Sequence, residues 1–215
     1  HTETIWSLMN KNLLALSVAA ASALALSASA AVSSNIVGYV KVPLKRGLNL
    51  ISNPLNNTNP NGNKISTMFA GKTCSVLRWG NSGFVSTDVF NGVVIGTDSD
   101  ILPGEGFFVD VGADTEVTLV GEALVGTQTV NVDPGTTGNA FVASKIPLAG
   151  TATFLGLAPA NSISALVWNN ASGSFTAFDY FGGVGWIGAE PSLAVAQGVL
   201  IQSTVAFPWT KTFNP

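Results

Sequence analysis

Three things are scarce in this sequence: histidine, cysteine and charge. Histidine occurs once, as His1, and cysteine once, as Cys74. With its only imidazole at the first position, the body of the chain has no histidine general base, which excludes Ser-His-Asp and Cys-His catalytic arrangements there. Zinc sites built from Cys and His are excluded too, because one thiol cannot supply the ligand set. A lone cysteine forms no internal disulfide, so stability must come from packing. The expected state of Cys74 is a buried, small apolar side chain, with a free reactive thiol or an intermolecular bridge as alternatives. Lys and Arg number 9 against 12 Asp and Glu, a net charge of -3. That mild acidity argues against a nucleic-acid partner, whose phosphates need a basic face.

Charge is also unevenly spread. Residues 35–122 carry fourteen charged side chains, whereas residues 123–215 carry five: Asp133, Lys145, Asp179, Glu190 and Lys211. Soluble surfaces are usually far richer in charge, so the second stretch is expected to be covered or built to associate. Gln197, Gln202, Ser203 and the alternation of Val199 to Val205 favour a covered strand there over a membrane-spanning helix.

The one long apolar run lies near the N-terminus. Met9-Asn10-Lys11-Asn12 carries a single positive charge, and Leu13 to Leu26 is an uncharged run of Leu, Ala, Val and Ser. That run suits the apolar segment of a signal peptide and is too short for a comfortable membrane span. Ala28-Ser29-Ala30 supplies the small residues that signal peptidase accepts. The sequence therefore predicts an upstream remnant at 1–8 and a signal peptide at 9–30. The mature product would begin at Ala31, be secreted to the cell surface or beyond, and keep no stable membrane span; an uncleaved anchor is the alternative.

The remainder of the chain reads as the same plan written twice, over 31–122 and 123–215. Pro54 matches Pro147, Trp79 matches Trp168, Asp88 matches Asp179 and Gly106 matches Gly198, at offsets of 93, 89, 91 and 92 residues. Within each copy, short runs of Val, Ile, Thr, Phe and Trp are punctuated by Gly, Asn, Pro and Ser, the signature of strands. Val37 to Val42 and Glu116 to Val120 alternate, and Gly106 to Val111, apolar except for Asp110, is suited to a strand buried on both faces. Helical periodicity is confined to single turns at 64–70 and 152–157. The predicted fold is all-β, as two tandem related β-sandwich or partly open barrel lobes sharing an interface.

The segments GLNLISNPL (47–55), VLRW (76–79) and LPGEGFFV (102–109), with the closing Trp209-Thr210-Lys211-Thr212-Phe213, resemble a family of exported proteins of unassigned function from Verrucomicrobia-type bacteria. A similar pattern occurs in surface and adhesin modules of other Gram-negative bacteria. The resemblance covers nearly all of 36–213, implies a β-rich extracellular module and carries over no catalytic residue. The second copy departs from it at Val199-Leu200, where two aromatics are usual.

Candidate chemistry is thin. Glu105, with Asp88 or Glu122 as partner, is the best placed carboxylate for glycoside hydrolysis, but Gln197 stands at its matching position, so a polar turn cap explains both. Asp98 and Asp100, with Asp110 or Asp114, could invite calcium, although their spacing is not that of a known calcium loop. Gly104-Glu105-Gly106 leads into a strand and so is not a phosphate cradle. Trp79 and Trp168 read as core or interface residues. Trp186, on a glycine-rich loop, with Tyr180 and Phe107, are the candidate ligand or partner contacts. The expectation is a non-enzymatic structural or interaction protein, without catalytic, cofactor or metal residues, that self-associates or joins other surface components as a matrix, filament or surface-layer element. Its rival is a carbohydrate-binding or adhesin module that holds glycans with loop aromatics. The charge-poor second half is expected to supply the main contact surface.

Overall fold

Punctuated β-formers fold here as β-formers should. A computed structural model describes residues 36–80 and 83–215; the predicted remnant and signal peptide lie outside the described residues. The N-terminal half consists of β1 (Ile36–Leu44), β2 (Gly47–Ser52), β3 (Leu55–Asn56), the single helical turn α1 (Ile65–Met68), β4 (Cys74–Gly80), β5 (Gly83–Phe90), β6 (Val93–Ile95), β7 (Gly106–Val111) and β8 (Thr115–Ala123). The two alternating runs become β1 and β8, paired antiparallel from Ile36 opposite Ala123 to Leu44 opposite Thr115. Their inward parity is Val40, Val42 and Leu44 on one and Val117 and Leu119 on the other. With β3 they form a three-stranded sheet, which packs on a five-stranded sheet ordered β2-β7-β4-β5-β6. Val76, Val89, Phe107 and Val109 of the larger sheet fill the space between, and Ile65 and Met68 of α1 close one end. This is sandwich packing, with one face of each sheet turned to a shared apolar layer.

The C-terminal half consists of β9 (Gly126–Val132), β10 (Asn139–Val142), β11 (Gly150–Thr151), β12 (Ile163–Asn169), β13 (Ser174–Phe181), β14 (Gly185–Trp186), β15 (Ser192–Leu193), β16 (Val199–Gln202) and β17 (Phe207–Phe213). Its five-stranded sheet is ordered β10-β16-β12-β13-β14, and β17 pairs with β9 across from it. Val130, Val132, Phe207 and Trp209 meet Ala165, Val199 and Ile201 in a second core. Trp209, 2 % exposed, donates its indole N–H to the Leu155 carbonyl at 2.8 Å, so a large polar-tipped ring is buried without an orphan donor. The turn at 152–157 that carries Leu155 is held by Leu155 N–H to Thr151 O and Leu157 N–H to Ala152 O. The described residues fall in one compact unit. The fold is all-β, in separate antiparallel sheets that do not close into a barrel. Among the described residues, no helix is long and apolar enough to cross a membrane.

Cys74, at the start of β4, points into the first core and is 7 % exposed. Burial, reinforced by the negative charge of Asp88 and opposed by Lys72, pushes its thiol up to about 11 from an ordinary 9.0. The folded state therefore holds the thiol proton more tightly than the unfolded chain does. Stability from this source is intact below about pH 9 and is lost as pH rises through 11, by at most about 3 kcal/mol. Urea melts at pH 8 and pH 10.5 should show a smaller alkaline loss in Cys74→Ala than in the parent. Thiol reagents should react only on unfolding; an equal alkaline loss in both proteins would refute the assignment.

Candidate functional site

In a strand, successive side chains take opposite faces, so each five-stranded sheet has a second face besides the one on its own core. In β7, Phe107, Val109 and Val111 enter the first core, which turns Gly106 and Phe108 the other way. There Phe108 meets Trp168 at 5.1 Å between ring centroids, Phe84 at 5.7 Å and Phe141 at 5.8 Å, all edge to face. Trp79 packs on Phe84 and Phe141, and Trp168 on Phe175. Six aromatic rings, three from each half, thus form the seam between the two large sheets. Edge-to-face contacts are the favoured aromatic geometry and stabilise beyond area burial alone.

Backbone pairing locks the seam reciprocally. Glu105 bridges Val142 of β10, and Gln197 bridges Ile51 of β2. Ala143 N–H donates to Gly104 O at 3.0 Å, and Ser52 N–H donates to Ala196 O at 2.8 Å. Each half inserts the turn before one strand into the edge of the other half's sheet. Gly104 and Ala196 both hold positive φ, 99° and 62°, which turns their carbonyls toward the neighbour; only the first is the glycine that this region favours.

The two sides of the seam differ in how the gap beside them is filled. On the C-terminal side, Trp168 donates its indole N–H to Leu48 O at 2.8 Å and Asn170 donates to the Asn49 side chain, closing that side. On the N-terminal side a cleft of about 630 Å³ stays open. One wall is Trp79, Arg78 and Glu105, and the other is the Asp133–Thr137 loop between β9 and β10. Arg78 holds Glu105 with both ends of its fork, Nε to Oε1 at 2.5 Å and Nη2 to Oε2 at 2.7 Å, while Nη1 donates to Ser99 Oγ at 2.6 Å. Such bidentate pairing fixes both side chains in orientation. The loop is shaped by its own bonds, Gly135 N–H to Asp133 Oδ1 and Thr137 Oγ1 to Pro134 O.

No family model, curated protein or solved structure matches this chain.

The sequence-expected contact residues fall elsewhere. Phe107 is fully buried, edge-on to Phe69 in the first core, and cannot meet a ligand or partner; its neighbour Phe108 reaches the seam instead. Strand parity is the physical reason, since adjacent side chains cannot share a face. Tyr180 and Trp186 form an edge-to-face pair at 5.2 Å and pack on the second core, with the Trp186 indole N–H on Thr153 Oγ1. Both are half-buried, folded back from the glycine-rich loop.

The carboxylates do not assemble either. Asp88 accepts from Ser75 near the far end of β4 from Glu105, five residues away, or roughly 15 Å along a strand. That exceeds the span of a glycosidase pair. Glu122 accepts from Thr58 and does not line the cleft. Asp98 receives the Ser66 N–H and hydroxyl, and Asp114 receives Lys45 and the Arg46 N–H. Among the described residues, no group of three or more His, Cys, Asp or Glu could hold a metal ion.

Arg78 is the residue that sequence reasoning missed. Gln197 opposite Glu105 was visible, and so was Val167 opposite Arg78. The joint replacement of cation and anion at those aligned positions was the signal that could have pointed to the Arg78–Glu105 ion pair.

Proposed function

We propose that this chain is an internally duplicated, exported, non-enzymatic structural protein that associates with further copies of itself through the outer edges of its two large sheets. The observation that carries this reading is a pair of matching apolar corners. β6 pairs only with β5, and β14 only with β13, among the described residues. Around the first edge Phe90, Val93 and Ile95 are exposed, and around the second Phe181, Val184 and Ile187 are. Val93 is 67 % exposed and Val184 78 %. Large apolar side chains beside an unpaired edge invite strand addition, and charged residues, which would oppose it, are few here. Two such edges on one molecule let identical copies join in series. Apolar exposure is not confined to the charge-poor half, so both halves contribute contacts.

The common strand order of the two large sheets and the near-constant sequence offsets support duplication. The run at 9–30 supports export. The engagement of Glu105 by Arg78 supports a non-enzymatic role. In sedimentation velocity and negative-stain microscopy the purified protein should form extended polymers. Val93→Lys with Val184→Lys should leave a discrete, folded species, because each lysine would have to be buried unpaired in the contact. A parent protein that stays monomeric at its highest soluble concentration would end this reading.

A further inference from the structure

We propose that the cleft between Trp79 and the Asp133–Thr137 loop binds a neutral saccharide, whether or not the sheet edges pair. Its volume, about 630 Å³, lies within the usual range for small-ligand sites. The charge of the lining decides the ligand class. Arg78 is neutralised by Glu105, which leaves Asp133 as the remaining charge among the lining residues. An anion would be repelled, and a single carboxylate is a poor cage for a metal cation. What the cleft does offer is a fixed set of neutral-ligand donors and acceptors beside an aromatic ring. The Trp79 indole N–H has no hydrogen-bond partner among the described residues, whereas its counterpart Trp168 is tied to Leu48 O. Arg78 spends three of its five N–H groups on Glu105 and Ser99. Glu105 is held rigidly with lone pairs to spare. Across the gap, Asn131 and Thr136 add amide and hydroxyl groups. Sugar hydroxyls both donate and accept, and their C–H faces pack on rings, which is the chemistry that this mix of donors, acceptors and an aromatic ring suits.

The opposite side of the seam is a built-in comparison. There Val167 and Gln197 replace Arg78 and Glu105, and the cleft is closed by Trp168 and Asn170. The open side has both the ion pair and the free indole, and the closed side has neither.

The test uses the folded protein labelled with nitrogen-15, with the Trp79 indole resonance assigned from its loss in Trp79→Phe. Cellotriose, xylotriose, maltotriose and chitotriose are titrated to millimolar concentrations, with inorganic phosphate as the anionic control. The expected result is a saturable shift of the Trp79 indole with at least one trisaccharide and none with phosphate. Arg78→Val with Glu105→Gln, which copies the other side, should weaken that binding roughly tenfold or more. Should that double variant misfold, Thr136→Trp, an exposed loop change that fills the cleft mouth, should abolish the shift on its own. No indole shift with any of the four sugars, a shift with phosphate alone, or binding undiminished in the folded variants would each overturn the proposal.

Discussion

Phe108→Ala should be among the most damaging single changes in this protein, costing about 3–5 kcal/mol. Phe108 is 5 % exposed and touches rings from both halves, so its removal opens a void between two sheets that are each pinned to their own core. Those pinned sheets can collapse little into the space, which places the cost at the upper end for a buried aromatic. For a chain of this size the melting temperature should fall by roughly 10 °C. Phe108→Leu should cost much less, about 1 kcal/mol, because Leu200 holds the matching position in the other half and shows that the seam accepts that shape. Calorimetry of the three proteins checks this. If alanine and leucine cost the same small amount, the rings do not hold the halves together.

Gly106→Ala and Gly198→Ala attack the same seam from the backbone side. A Cβ on Gly106 would stand 2.9 Å from both Val142 N and Val142 O, and one on Gly198 would stand 2.9 Å from Ile51 O. Neither glycine has a positive φ, so the new side chain strains no backbone angle. The cost is steric, because peptide groups that β10 and β2 hold in place would have to retreat. Each change should destabilise by about 2–3 kcal/mol, and the pair should be non-additive because both prise apart one interface. Gly112→Ala meets nothing within 4 Å and also has ordinary φ, so it should stay within about 0.5 kcal/mol of the parent. Hydrogen exchange gives the sharper readout. The amides of Ala143 and Ser52, which donate across the seam, should lose protection before those within the strand ladders. Equal protection in parent and variants would mean that the glycines are not needed for close approach.

Much of this architecture is written locally. Alternation in Val37 to Val42 and in Glu116 to Val120 fixed which side chains of β1 and β8 face inward, because strand geometry imposes a period of two. The run Gly106 to Val111, apolar except for Asp110, announced a strand covered on both faces, and β7 is buried at five of its six residues, Asp110 being the exception. The single helical turn at 65–68 also falls where it was expected. Parity says that Phe107 and Phe108 point apart, yet it does not say which of two apolar faces meets the local core and which meets the other half. That choice put Phe107 out of reach and Phe108 in the seam.

The cleft was still less legible. Arg78 and Glu105 are 27 residues apart, and the loop that walls them in comes from the second half. A one-dimensional pattern carries no record of which distant turn will stand opposite. What the sequence by itself determined was the class, the strands and their inward residues, all consequences of neighbouring side chains along one chain. What only the tertiary structure decided was the partner of each outward face. Strand orientation is set by bonds between adjacent residues, whereas the meeting of two sheets depends on loop closure and on packing shape across the whole chain.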